Sequence, residues 1–149
     1  MNKAIEVRSR GYAERFRCTA PWAGISVSTE VDEFPILSKE NRIGLLQLHF
    51  WDVSQALPGM KRVMPFTRYH STQILEFVED VWDQIDCLLI HCEAGMSRSP
   101  AIAAAIDKIY HGKDDVWFKT RTPNMLVYRT ILEHHYGSSW REMFNAGIS

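Results

Sequence analysis

Residues Cys87 to Pro100 read CLLIHCEAGMSRSP. A short apolar run ends at His91 and Cys92, five residues come next (Glu93 to Ser97), and Arg98, Ser99 and Pro100 precede an alanine-rich segment. The order reads as strand, short loop and helix, with Ser99 as the expected N-cap and Pro100 at the first helical position. A helix N-terminus offers unpaired N–H groups and a partial positive charge, and so attracts anions. Gly95 permits a tight path in which the N–H groups of Glu93, Ala94, Gly95, Met96, Ser97 and Arg98 turn inward as a nest. Arg98 adds a planar fork that can take two oxygens of one phosphate. Together these residues describe a cradle for a tetrahedral oxyanion.

Cys92 adds reactivity. A cysteine at the mouth of such a cradle is expected to act as a thiolate. Held under a phosphorus atom, it is a nucleophile able to displace an alcohol or phenol. Ser99 can donate a hydrogen bond to the sulfur and help it leave when water attacks the phosphocysteine. His91 is expected to bond nearby backbone and shape the loop, not to act as a base. A lone cysteine is commonly a small buried hydrophobe, which is the reading for Cys87 and Cys18. That reading does not suit Cys92, because Gly95, Arg98 and the helix start all fit one reaction.

These groups need an open α/β fold, whose ligands bind at the carboxyl edge of the sheet. Ala4–Ser9 alternates as an edge strand would, and Trp22–Thr29 is rich in strand formers. Gly44–Val53 contains a strand ending near Phe50, and CLLIH reads as a strand buried on both faces. Residues 30–42 and 54–66 read as loop. From Thr67, apolar residues at helical spacing predict a helix of about four to five turns. Further helices are expected after Ser99, around Asp114–Lys119, from Pro123 (capped by Thr122) to Gly137, and within SWREMFNAGIS. Strands alternating with helices predict an α/β fold with a mostly parallel sheet of about four to five strands flanked by helices.

The chain has 149 residues, 46% hydrophobic and 23% charged, with 17 basic and 18 acidic side chains. That length suits a single domain over 1–149, and the net charge of -1 does not favour a nucleic-acid partner. Three widely spaced cysteines point to a reducing, cytoplasmic setting rather than a disulfide framework. No apolar run approaches a membrane span. No metal-ligand spacing is evident, and no cofactor is expected. The other histidines read as surface or packing residues, and KDDVWFK as a solvated face with an aromatic anchor.

The motif HCEAGMSRS, His91–Ser99, resembles the signature of the cysteine-dependent protein tyrosine phosphatase superfamily, and most closely its compact dual-specificity branch. The resemblance implies that fold, a phosphocysteine intermediate and a general acid on a separate upstream loop. Asp52, 40 residues before Cys92 and just past an expected strand end, is the acid so implied. Asp32 and Glu33 are weaker choices, and Asp80, Asp83 and Asp86 belong to the far edge. The catalytic set is then Cys92, Arg98, Asp52 and Ser99. Phe50 and Trp51 flank the acid as pocket wall or core, and Asn124 is expected only to serve its helix's first turn.

Relatives acting on phosphoinositides tend to carry lysines in this loop. Glu93, Ala94, Met96 and Ser97 supply none, which favours one phosphate on a protein or peptide; Lys61, Arg62 and Arg68 are placed to meet a flanking acidic group. Alternatives are a catalytically silent phospho-binding module, a phosphatase for a nucleotide or RNA 5′ phosphate, and a sulfurtransferase or arsenate reductase on a similar loop. The sequence leaves the oligomeric state open.

Overall fold

The structure, a computed structural model, describes residues 3–54 and 63–137. Its strands are β1 (Ala4–Arg8), β2 (Trp22–Ser28), β3 (Arg42–His49) and β4 (Cys87–His91). Its helices are α1 (Arg10–Glu14), α2 (Arg68–Val81), α3 (Arg98–His111), α4 (Asp115–Thr120) and α5 (Met125–Tyr136), with a 3-10 turn at Trp82–Gln84. The strands form one sheet in the order β1-β4-β2-β3, with every pairing parallel. The expected α/β class holds, and the sheet is wholly parallel.

β4 is buried along its whole length, as an unbroken apolar run implies for a central parallel strand. Its side chains alternate between two cores, Leu88, Ile90 and Cys92 in one and Cys87 and Leu89 in the other. The first core is closed by α2 through Ile74, Val78 and Val81, by α3 through its alanines and isoleucines, and by α5 through Val127 and Ile131. Ala101, Ala103, Ala104 and Ala105 have no exposed surface; these small residues let α3 lie close to the sheet. The second core gathers Ala13 of α1 with Phe16, Trp22 and Leu37.

α2 begins after Thr67, as expected, with the Thr67 N–H donating to His70 Nδ1 at 3.0 Å. Two other helix starts differ from expectation. α3 opens two residues early, capped by Ser97, whose carbonyl accepts the Ala101 N–H at 3.2 Å. Pro100 then lies within the first turn, where a missing N–H costs nothing. α5 is capped by Asn124 instead of Thr122, and starts at Met125 after Pro123. Asn124 Oδ1 accepts the N–H groups of Leu126 and Val127, whereas the Thr122 N–H goes to the Met96 carbonyl. The five-residue α1, too short for a periodic signal, was not expected from the sequence. Residues 55–62, with Lys61 and Arg62, and the helix expected in SWREMFNAGIS lie outside the described residues.

Candidate active site

All four strands end at one edge. Arg8 and Ser26 both pair with His91, and Ser28 pairs with His49. Ser9, Thr29, the Phe50–Val53 segment and the Cys92–Ser97 loop therefore meet there, as a parallel sheet requires.

Cys92 is 3% exposed. Its Sγ lies 3.0 Å from Ser99 Oγ and accepts the Gly95 N–H at 3.3 Å. Ser99 thus serves the sulfur and not the helix cap. Four of the loop's carbonyls turn outward to groups beyond it. Glu93 O accepts the Arg10 N–H at 3.0 Å, and Gly95 O accepts Arg121 Nε–H at 3.1 Å. Met96 O and Ser97 O accept the N–H groups of Thr122 and Asn124, each at 3.0 Å. In a planar trans peptide, each outward carbonyl sends the next N–H the opposite way. The N–H groups of Ala94, Met96, Ser97 and Arg98 accordingly face inward, with no acceptor among the described residues. Gly95 is needed twice over. Its φ is 72°, and a Cβ there would lie 2.8 Å from Ser9 N and 2.9 Å from Arg8 C.

Arg98 is 6% exposed. Its Nη1 donates to Thr29 Oγ1 at 3.0 Å and to the Phe50 carbonyl at 2.9 Å. Nε and Nη2, the side of the fork that grips two oxygens, have no acceptor among the described residues. His91 has its pKa lowered, chiefly because burial penalises the imidazolium. The neutral ring donates from Nδ1 to the Cys92 carbonyl at 3.2 Å, which leaves Nε2 to accept from Ser26 Oγ. Ser26 is paired with His91 in the β2–β4 register, so the contact arises from strand alignment.

Asp52 lies on the same edge. Its Oδ1 accepts from Ser97 Oγ and from Asn124 Nδ2, both at 2.8 Å. Asp86 is at the opposite edge, where its carbonyl accepts the Ala4 N–H ahead of β4. Asp32 and Glu33 are exposed, and among the described residues their carboxylates make no hydrogen bond to the loop. Phe50 is core, packed against Phe66 and His70, while Trp51 is half-buried. A cleft of about 450 Å³ borders the outer side of the loop, between Arg8, Tyr12, Met96 and Arg121, and is not lined by Cys92 or Arg98. An anion cradle is a shallow bowl of donors, so the distances above, and not that cleft, locate the chemistry. Sequence reasoning missed Thr29, Arg121 and the second role of Asn124. Only Asn124 carried a signal, as a cap residue ahead of an apolar helix.

No protein-family model and no curated protein matches the chain. Solved structures match its fold. It is similar to human DUSP28, with a TM-score of 0.61 and 14% identity over 95% of this chain and 96% of that one. It is similar to human tyrosine phosphatase-like serine/threonine/tyrosine-interacting protein, with a TM-score of 0.55 and 18% identity over 78% of this chain and 77% of the other. PTPMT1 in complex with PI(5)P matches with a TM-score of 0.58 and 14% identity, covering 95% and 96% of the two chains. The fold is that of the compact tyrosine and dual-specificity phosphatases. Among the described residues, no helix is long and apolar enough to cross a membrane.

Proposed function

We propose that residues 1–149 form one cysteine-dependent phosphatase domain that hydrolyses phosphomonoesters of proteins or peptides, of tyrosine or dual specificity, in a reducing cytoplasmic setting. The observation that carries this reading is a sulfur 3.0 Å from a serine hydroxyl, beside four inward N–H groups and an arginine whose Nε and Nη2 have no acceptor among the described residues. In the first step Cys92 Sγ forms an S–P bond as the P–O bond breaks. Asp52 gives its proton to the leaving oxygen. In the second step water attacks phosphorus and gives its proton to Asp52. The S–P bond then breaks, with Ser99 Oγ–H and the Gly95 N–H stabilising the returning thiolate. Arg98 and the loop N–H groups hold the phosphoryl oxygens throughout, so catalysis is mainly electrostatic positioning. Every role is filled by a side chain or backbone group of this chain. Glu93, Ala94, Met96 and Ser97 add no positive charge, which supports a substrate with one phosphate over a polyanionic lipid.

Hydrolysis of aryl phosphates in chelator by wild type, Cys92→Ser and Asp52→Ala tests the reading. Cys92→Ser is expected to lose nearly all turnover while still binding orthovanadate. Asp52→Ala is expected to lose roughly two to four orders of magnitude in kcat on phenyl phosphate, whose leaving group needs a proton. No turnover by folded wild type would favour a phosphate-binding module, a reading kept open by the similarity to the human phosphatase-like interacting protein.

A further inference from the structure

We infer that the face beside the anion cradle selects a phosphoprotein segment with lysine or arginine close to its phosphorylated residue, and that the carboxylates of the turn at 30–33 and of Glu93 make the selection. The inference deepens the reading above and rests on it for the phosphate in the cradle.

β2 ends at Ser28, and the chain turns at once. Ser28 Oγ donates to the Glu30 carbonyl at 2.8 Å, and the Glu33 N–H donates to the same carbonyl at 3.4 Å. Both ends of this turn are tied to the cradle. Thr29, just before it, accepts from Arg98 Nη1 at 3.0 Å. At the other end, the Glu33 carbonyl accepts from Arg10 Nη1. The Arg10 N–H donates in turn to Glu93 O at 3.0 Å, so Arg10 holds the turn and the loop side by side. Arg10 follows β1 and the turn follows β2, the two neighbours of β4. The carboxylates therefore border the cradle on that side, whereas α2, which begins with Arg68, packs against β3 at the far end of the sheet.

Glu30, Asp32, Glu33 and Glu93 are exposed, and their carboxylates have no ion pair or hydrogen bond among the described residues. The neighbouring cations are already engaged. Arg10 faces Glu14 at 3.8 Å, Arg8 is bonded to Glu6 at 2.6 Å, and Arg121 Nε–H is held by the Gly95 carbonyl. The cradle itself calls for an anion, since Arg98 is 6% exposed and its Nε and Nη2 have no acceptor among the described residues. A ligand that suits both features brings one phosphate to the cradle and positive charge to the rim. RNA with a 5′ phosphate or a phosphoinositide would bring more negative charge to the rim and be repelled. A phosphopeptide with basic neighbours meets both needs, and exposed Val31 and Met96 offer it apolar contact beside the carboxylates. An extended chain advances about 3.3–3.6 Å per residue and the screening length at 0.1 M salt is about 10 Å, so cations within about three residues of the phosphorylated one feel the rim.

The test measures binding of fluorescent phosphotyrosyl peptides to Cys92→Ser by polarisation at low salt. The peptides differ only in the two residues on either side of the phosphotyrosine, which are lysine, alanine or glutamate. Exposed ion pairs contribute up to about 5-fold each, so two on the rim should tighten the lysine peptide about 3- to 25-fold over the alanine peptide. The glutamate peptide should bind more weakly than either. The gain from lysine should fall below about 2-fold in about 0.5 M NaCl, and likewise when Glu30→Gln, Asp32→Asn and Glu33→Gln are combined. The same triple replacement with Cys92 intact should leave kcat on p-nitrophenyl phosphate at the wild-type level. Equal binding of lysine and alanine peptides, or a gain that either salt or the triple replacement leaves intact, would overturn the inference. Tighter binding of the glutamate peptide would overturn it in favour of Arg68, and tighter binding of a 5′-phosphorylated oligoribonucleotide would overturn it in favour of RNA. Should the triple variant not fold, the salt series on the unaltered rim decides. If wild type hydrolyses no aryl phosphate while the lysine preference holds, the phosphatase reading fails and the selectivity of the rim is supported, a separately recognisable result.

Discussion

Replacing Gly95 with alanine tests whether the loop's path is set by backbone geometry. Alanine at φ 72° costs about 1–2 kcal/mol, because Cβ crowds the following carbonyl in the left-handed region. The new Cβ would also meet Ser9 N at 2.8 Å and Arg8 C at 2.9 Å. Both are backbone atoms that cannot rotate away, so a further ~1–3 kcal/mol of overpacking is expected. The total of about 2–5 kcal/mol corresponds to a fall in melting temperature of roughly 4–20 °C for a domain of this size. Relief by moving the loop would cost function instead, since Gly95 donates to Cys92 Sγ and accepts from Arg121. Thermal unfolding and aryl phosphate turnover are measured together, with Gly11→Ala as control. A Cβ at Gly11 meets nothing within 4 Å, so that variant should match wild type or melt slightly higher. If Gly95→Ala melted with wild type and kept its kcat, the account of the loop would be wrong.

Two further outcomes concern the titrating groups. His91 has a pKa below its ordinary 6.5, chiefly through burial, so below pH 6.5 the unfolded chain binds more protons than the folded one. Its contribution to stability is present above 6.5 and is lost as the pH falls toward the folded value. Wild-type melting temperature should drop on acidification from pH 7, and His91→Asn should flatten that dependence; parallel curves would refute the role. Burial pushes the Cys87 thiol up to about 12, with the neighbouring Glu6 adding to the effect. Iodoacetamide at pH 7.5 should therefore leave Cys87 unmodified while labelling Cys92, and orthovanadate should suppress the Cys92 label; alkylated Cys87 in folded protein, by peptide mapping, would contradict this.

The Cys92–Ser97 loop was legible because its placement is written in local order. The CLLIH run must be a central strand, and the loop after a parallel strand must emerge at the shared carboxyl edge. That also placed Asp52 near Cys92, since β3 ends just before it. The partners were harder to read because they come from distant segments. Thr29 reaches Arg98 only because β2 and β3 are neighbours, and Arg121 reaches Gly95 only because α3 and α4 fold back on the loop. Asn124 looked like a cap, and its acceptor oxygen is one; its donor side acts across the fold, where sequence spacing says nothing. The shift of α3's cap to Ser97 has the same origin, because the Ser99 hydroxyl is drawn to the sulfur by tertiary structure.

The central claim, that Cys92 becomes phosphorylated during turnover, is tested by acid-quenching Asp52→Ala during hydrolysis of p-nitrophenyl phosphate. The good leaving group lets the intermediate form, and loss of the base for water lets it accumulate. Peptide mass spectrometry should find one phosphoryl group on Cys92, and none in the Cys92→Ser, Asp52→Ala double variant. Release of p-nitrophenol by Asp52→Ala with no phosphoryl group on Cys92, or with it on another residue, would contradict the account.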